Sequence, residues 1–261
     1  KALELTTRQN LVLKTYCEQN GIIFLTTPFD EVSLEEVDHL NLPAYKIAST
    51  DLTNLLFLRK VASKGKPIFL STGMSFLTEV EMALAAIYPF NKDVVLLQCT
   101  ANYPIQDHEV NLNVLNSYKE HFDVLVGYSD HSIGVGAAPF AIPMGAKVIE
   151  KHFTLDKASK GPDHMASLTP SELKDFVTQI KKVDAYMGSN IKMPNLSEIE
   201  TRKSLQKNLV AACDIIKGEE FTASNIIGKR TGGDGISPIY IYEILGKVAK
   251  NNFVKDQIIK L

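Results

Sequence analysis

No stretch of this 261-residue chain approaches the ~20 consecutive apolar residues that a membrane-spanning helix needs. Charge of one sign is also lacking. The formal net charge is −2, too small for a bulk field that would gather nucleic acid or an anionic membrane. Cysteine is scarce: Cys17, Cys99 and Cys213 stand without CxxC spacing, an odd set that fits free thiols in a reducing compartment. The opening segment, Lys1 to Asn10, is mixed and polar and has no signal-peptide pattern. No Gly-x-Gly-x-x-Gly or Walker A loop follows any apolar run, which weakens a nucleotide-binding sheet. These absences leave a cytoplasmic globular protein as the expectation. Its length fits one large α/β domain, alone or with a small appendix.

What is present is alternation. Short apolar runs occupy Ile22–Thr26, Ala44–Ser49, Pro67–Ser71, Val94–Thr100, Val124–Ser129 and Lys147–Thr154. Helical patterns precede and separate them: Thr7–Gln19, Ser33–His39, Leu55–Ser63, Leu77–Ile87, Leu112–His121 and Val135–Met144. A last long helix is expected over Ser171–Met187. Strand–helix–strand at this spacing implies parallel strands with helical crossovers. A (β/α) barrel is the leading reading and an open doubly wound sheet the alternative. Six runs fall short of the eight strands of a closed barrel, so either two N-terminal β/α units are missing from the chain or the fold is not a closed barrel. Residues 1–190 are read as the barrel domain and 191–201 as a linker. Residues 202–261, with short β-rich runs and Gly-rich turns, are read as a separate small domain.

Two histidines carry the chemistry. His131 stands in Gly127-Tyr128-Ser129-Asp130-His131-Ser132 and His152 in Glu150-Lys151-His152-Phe153-Thr154. Each follows an apolar run, and the ends of neighbouring parallel strands share the rim where α/β barrels do their chemistry. Two imidazoles there can hold one divalent metal and leave positions open for substrate. Strand alternation puts Glu150, His152 and Thr154 on one face and Lys151 on the other. A face with Glu and His is costly unless it lines a wet or metal-bearing cavity. Lys46 lies in an otherwise apolar run, and Ser71-Thr72-Gly73 and Ser129 end others. Such hydroxyls, a lysine and backbone N–H groups can cradle a phosphate. Asp51 is read as a helix cap or a base.

With these segments assembled, the chain resembles the sialic acid synthase family, which includes N-acetylneuraminate and legionaminate synthases. The carrying motifs are Thr27-Pro28-Phe29-Asp30, Tyr45-Lys46-Ile47-Ala48-Ser49, Leu70-Ser71-Thr72-Gly73-Met74, Gln98-Cys99-Thr100, the two histidine motifs and Gly161-Pro162-Asp163-His164. The tail from Arg202 resembles the family's antifreeze-like (SAF, β-clip) domain through Lys217-Gly218-Glu219 and Lys229-Arg230.

The resemblance implies a (β/α)8 TIM barrel followed by a SAF domain. It implies an enzyme that condenses phosphoenolpyruvate with open-chain N-acetylmannosamine or a related N-acetylated hexosamine. N,N'-diacetyllegionaminate synthesis is the alternative within the family, and a non-catalytic binding protein on a decayed barrel is the alternative outside it. By matching position, His131 and His152 would bind Mn²⁺, with Mg²⁺ or Co²⁺ as substitutes. Lys46, Ser49, Ser71, Thr72 and Ser129 would contact phosphoenolpyruvate, with Asn102 beside them and Tyr103 near the sugar. Glu150, Asp51 and Asp163 would be the catalytic carboxylates. Arg230 would enter a partner's site in a domain-exchanged homodimer.

Overall fold

The computed structural model describes residues 4–261, which form two compact units divided between Gly188 and Ser189. The first unit opens on helices α1 (Thr7–Gln19) and α2 (Glu31–His39). Five parallel strands follow: β1 (Tyr45–Ile47), β2 (Ile68–Ser71), β3 (Val94–Gln98), β4 (Leu125–Asp130) and β5 (Val148–Lys151). Their helical crossovers are α3 (Leu55–Ser63), α4 (Leu77–Ile87), α5 (Val114–His121) and α6 (Ala138–Ala141), and α7 (Pro170–Met187) closes the unit. The strands pair strictly in chain order, β1-β2-β3-β4-β5. Each neighbour is the next in sequence, which builds the arc of a barrel rather than a doubly wound sheet with a strand-order reversal.

Side-chain alternation sorts each strand into two faces. Tyr45, Ile47, Ile68, Leu70, Val94, Leu96, Val126 and Tyr128 join the helices in one core. The helices meet them with matching stripes: Phe57, Leu58, Val61 and Ala62 on α3, and Val80, Ala83, Leu84 and Ile87 on α4. Each aliphatic side chain buried there contributes about 1.5–3 kcal/mol. The alternate positions, Lys46, Phe69, Ser71, Leu97, Ser129 and Glu150, therefore face away from the helices. Lys46, Phe69, Leu97 and Glu150 line a cavity of about 370 Å³. Capping boxes start helices that include α2 and α7: Asp30 accepts from the Ser33 N–H at 2.7 Å, and the Thr169 N–H donates to Glu172 at 2.8 Å.

Two expectations are corrected. Ile22–Thr26 is not a strand of this sheet. Among the described residues β1 pairs with β2 alone, and the segment has no regular structure, with Ile22 and Ile23 exposed while Leu25 and Thr26 line the cavity. The helix expected over Val135–Met144 shrinks to Ala138–Ala141. Gly134 and Gly136 hold positive φ of 66° and 56°, and Pro143 lacks the N–H that would continue the helix. β5 also ends sooner than its apolar run. Beyond it, Phe153 pairs in parallel with Leu168 through a single bridge.

The second unit holds α8 (Ile199–Leu205), strands β6 (Lys207–Ala211) and β7 (Ile226–Arg230), and α9 (Ile241–Ile244). β6 and β7 pair antiparallel, and isolated bridges tie Val210 to Ile258, Ile215 to Phe253 and Glu220 to Val248. Leu209, Ile215, Phe221, Ile226, Phe253 and Ile259 form its own core.

Gly127, at the centre of β4, has no room for a side chain. A Cβ there would lie 2.6 Å from both Leu97 Cδ2 and the Val148 carbonyl oxygen. Gly127→Ala is expected to destabilise the first unit by about 1–3 kcal/mol through overpacking, read as a lower urea midpoint. An unchanged midpoint would show that β3, β4 and β5 can spread.

Candidate active site

The inward face at the C-terminal strand ends is polar, and its side chains find one another. The Lys46 ammonium, on β1, donates to Ser71 Oγ on β2 at 2.8 Å and to the Ile47 carbonyl at 3.0 Å. It lies 3.7 Å from Glu150 Oε2 on β5. The register sets Ser129 beside Glu150, and the Ser129 hydroxyl donates to Glu150 Oε1 at 2.7 Å. A cation, two hydroxyls and a carboxylate from four strands thus form one connected cluster.

The histidines extend it. The His131 and His152 rings lie 5.2 Å apart, edge to face, and Tyr103 stands 4.1 Å from the first and 5.4 Å from the second. His131 Nδ1 donates to the Thr100 carbonyl at 2.7 Å, because a carbonyl can only accept. Its Nε2 is left with a lone pair. Ser129 Oγ is 3.4 Å from that nitrogen, but its single proton is already given to Glu150. Burial holds the His131 imidazole below its ordinary pKa, against the smaller opposing pull of the Thr100 carbonyl. His152 is more open, and its Nδ1 lies 3.9 Å from Asp163 Oδ2. Ser167 Oγ donates to the Asp163 carbonyl at 2.7 Å, which fastens the loop that brings this carboxylate in. Among the described residues, no three or more His, Cys, Asp or Glu side chains gather as a metal cage.

Not every expected residue joins this cluster. Ser49 sits in the turn after β1, packed so closely on Gly73 that a Cβ there would be 2.4 Å from Ser49 Cβ. Thr72 is 1% exposed and spends its hydroxyl on the Leu97 carbonyl at 2.9 Å, holding β2 to β3. Asn102 is exposed and turns toward Glu109, 3.4 Å away. Asp51 is buried and accepts from the Thr50 hydroxyl at 3.3 Å. No hydrogen bond or ion pair among the described residues links it to Lys46, Glu150 or the histidines. Arg230 is exposed at the end of β7 in the second unit, where Asn208 donates to Thr231 Oγ1 at 2.7 Å and to the Gly233 carbonyl at 2.9 Å.

Sequence reasoning missed four participants. Thr100 acts through its carbonyl, which no residue type reveals. Cys99 accepts from the Gly73 N–H at 3.1 Å, and burial raises its thiol pKa, so it stays neutral in the wall of the site. Asp130 and Lys151 pair behind the histidines, 3.2 Å apart, with side chains 0% and 3% exposed. The charge on Lys151 opposite an apolar helix layer was the available signal.

Comparison with known proteins identifies the family. Residues 1–192 match the NeuB family and residues 208–261 the SAF domain. An N,N'-diacetyllegionaminic acid synthase of Campylobacter jejuni is 43% identical over 261 residues, 99% of this chain and 78% of that protein. Another from Legionella pneumophila is 38% identical over 251 residues, 94% of this chain and 70% of that protein. The crystal structure of the N-acetylneuraminic acid (sialic acid) synthetase of Leptospira borgpetersenii superposes with a TM-score of 0.72 at 33% identity, over 77% of this chain and 72% of that one. With a half-barrel of parallel strands, the polar cluster on its inward rim and a family match over residues 1–192, the chain belongs to the NeuB family, the sialic acid synthases, and carries a SAF domain after its barrel portion.

Proposed function

We propose that this protein condenses phosphoenolpyruvate with an open-chain N-acetylated hexosamine, giving a nonulosonate of the N-acetylneuraminate type and inorganic phosphate. The observation that carries the proposal is the meeting, on one face, of a lysine–serine cation cluster with two imidazoles across Glu150. The five-stranded arc is read as part of a (β/α)8 barrel whose mouth holds this reaction. N-acetylmannosamine is the first candidate sugar. Two relatives named N,N'-diacetyllegionaminic acid synthase, at 43% and 38% identity, favour a diacetylated hexosamine as the second.

The residues fit a divalent ion such as Mn²⁺. The free Nε2 lone pair of His131, its tautomer fixed by the Thr100 carbonyl, is the pattern of a metal-binding histidine. His152 would be the second ligand, with other positions left to water and substrate. When bound, the ion supplies Lewis acidity toward the sugar carbonyl.

The chain's own residues do the rest. Lys46 and Ser71 bind the anionic end of phosphoenolpyruvate, a charge-assisted contact that places the enol carbon over the sugar. Ser49 and Thr72 shape the loops beside it. The enol C3 attacks the aldehyde carbon, and the aldehyde oxygen takes up a proton to become a hydroxyl. C2, now an oxocarbenium carbon, accepts water, which gives up a proton. The C–O bond to phosphate then breaks, leaving the 2-keto acid. Glu150, held between Ser129 and Lys46, orients the water and takes up that proton. Asp163 orients the sugar beside His152, and Tyr103 covers it. Asp51 is assigned an acid–base role at longer range. Arg230 is the residue that the SAF domain of a second copy would contribute. A Schiff base on Lys151 is disfavoured, because Lys151 pairs with Asp130 on the opposite face of β5.

Phosphate release is expected to require both substrates, to stop with EDTA and to return with Mn²⁺. A His131→Ala, His152→Ala double variant should lose about 10³-fold in turnover, the worth of several kcal/mol of charge stabilisation. Undiminished turnover in that variant would remove the mechanism. Lys46→Met should raise the KM for phosphoenolpyruvate about tenfold to a hundredfold while sparing sugar binding. A change confined to the sugar KM would reassign Lys46. In metal-free protein, His131 should stay neutral below the usual imidazole value of ~6.5, read from its ring proton shifts.

A further inference from the structure

Behind the site, on the helix-facing side of the same two strands, lies a buried ion pair that the reaction does not use. Asp130 follows Ser129 on β4, and Lys151 follows Glu150 on β5. The register places these as successive cross-strand pairs, Ser129 with Glu150 and Asp130 with Lys151. Because side chains alternate, the first pair points into the site and the second away from it. His131 and His152 are the first residues past the ends of these strands.

The second pair is closely built. Asp130 Oδ1 accepts from the Ser132 N–H at 2.9 Å, from the Ser132 hydroxyl and from the Tyr128 hydroxyl at 3.3 Å. No well-aligned hydrogen bond reaches Asp130 Oδ2 among the described residues, and its compensation is the Lys151 ammonium 3.2 Å away. The same ammonium donates to the Ser132 carbonyl. Lys151 therefore grips Asp130 and Ser132, the residues on either side of His131. It is itself flanked by Glu150 and His152. Gly136 lets the following loop close over this knot: a Cβ there would lie 1.8 Å from Ser132 Oγ and 3.0 Å from Asp130 Oδ2.

Building on the function proposed above, we infer that Lys151 and Asp130 are positioning residues that lock the β4 and β5 rims together, setting the spacing of His131 and His152 and the aim of Glu150. They touch no substrate. Their effect passes through the backbone of residues 130–132 and 150–152. A buried pair of this kind need not add stability, since a well-packed neutral replacement is often neutral or better for folding. What it supplies is a fixed register, and that distinguishes it from a residue that only holds the fold.

The decisive variant is Asp130→Asn with Lys151→Met, which removes both charges and keeps volume. Thermal unfolding should stay within a few degrees of the parent. Mn²⁺ affinity by calorimetry should fall about 10–100-fold, the usual loss when the support of a metal ligand is removed. Turnover should fall by a similar factor, with the KM for phosphoenolpyruvate nearly unchanged. In metal-free protein, imidazole ¹⁵N spectra should show His131 passing from one tautomer to a mixture. A folded double variant with parental Mn²⁺ affinity, turnover and tautomer would overturn the inference. Should that variant fail to fold, Lys151→Arg carries the same test, since it keeps the charge but alters the reach. Parental tautomer and turnover in it would count against positioning. If the parent releases no phosphate while the tautomer still responds, the proposed function fails and the positioning role stands.

Discussion

The hydrogen bond from Ser129 to Glu150 is the constraint on which the site rests. A serine hydroxyl has one proton to give, and the 2.7 Å contact commits it to the carboxylate. His131 Nε2, 3.4 Å from the same oxygen, is thereby left as a bare lone pair. Glu150 is turned so that its other oxygen meets Lys46. One proton assignment thus separates the cluster into a cationic side at Lys46 and Ser71 and an imidazole side with a free lone pair on His131. The sheet makes that assignment possible, since the β4–β5 register sets Ser129 and Glu150 side by side.

The same alternation explains why both faces of so short a sheet are occupied. Outward positions belong to a continuous apolar core with the helices, while inward positions near the rim are polar. The exception is Lys151, an outward lysine that is 3% exposed. An ammonium in that layer is costly unless it is paired, and Asp130 is the pairing. Gly127 makes a related point, since the close approach of β3, β4 and β5 leaves no space for its side chain.

Much of this was legible in the residues. Helices α1, α3 and α4 fall where their apolar periods and capping residues put them, because a 3.6-residue stripe over nine or more residues leaves little choice. The histidine pair and Lys46 were legible because charge in an apolar run demands a reason. Ile22–Thr26 misled because an apolar run signals extension, whereas a strand also needs a partner with a free ladder. Val135–Met144 misled because glycine and proline outweigh hydrophobic spacing. Thr100 was invisible, since its contribution is a main-chain oxygen that any residue would carry. Asn102 and Asp51 stand at or beside positions that the family resemblance pointed to, and their side chains are engaged by Glu109 and Thr50. A motif records residue type and leaves the rotamer open.

The single bridge between Phe153 and Leu168 has a mechanical consequence. His131 is clamped from both sides, by a carbonyl on its ring and by the knot around its neighbours. His152 stands at the seam where regular pairing has just ended, with a 31% exposed side chain and a carboxylate 3.9 Å from its ring. The two imidazoles are therefore held unequally: the His131 ring is fixed by a carbonyl, whereas His152 is tied through its own carbonyl to the Leu168 N–H at 2.9 Å. For the ion proposed above, a pair held so unequally would leave the choice among first-row cations to supply in the cell rather than to the fit of the protein.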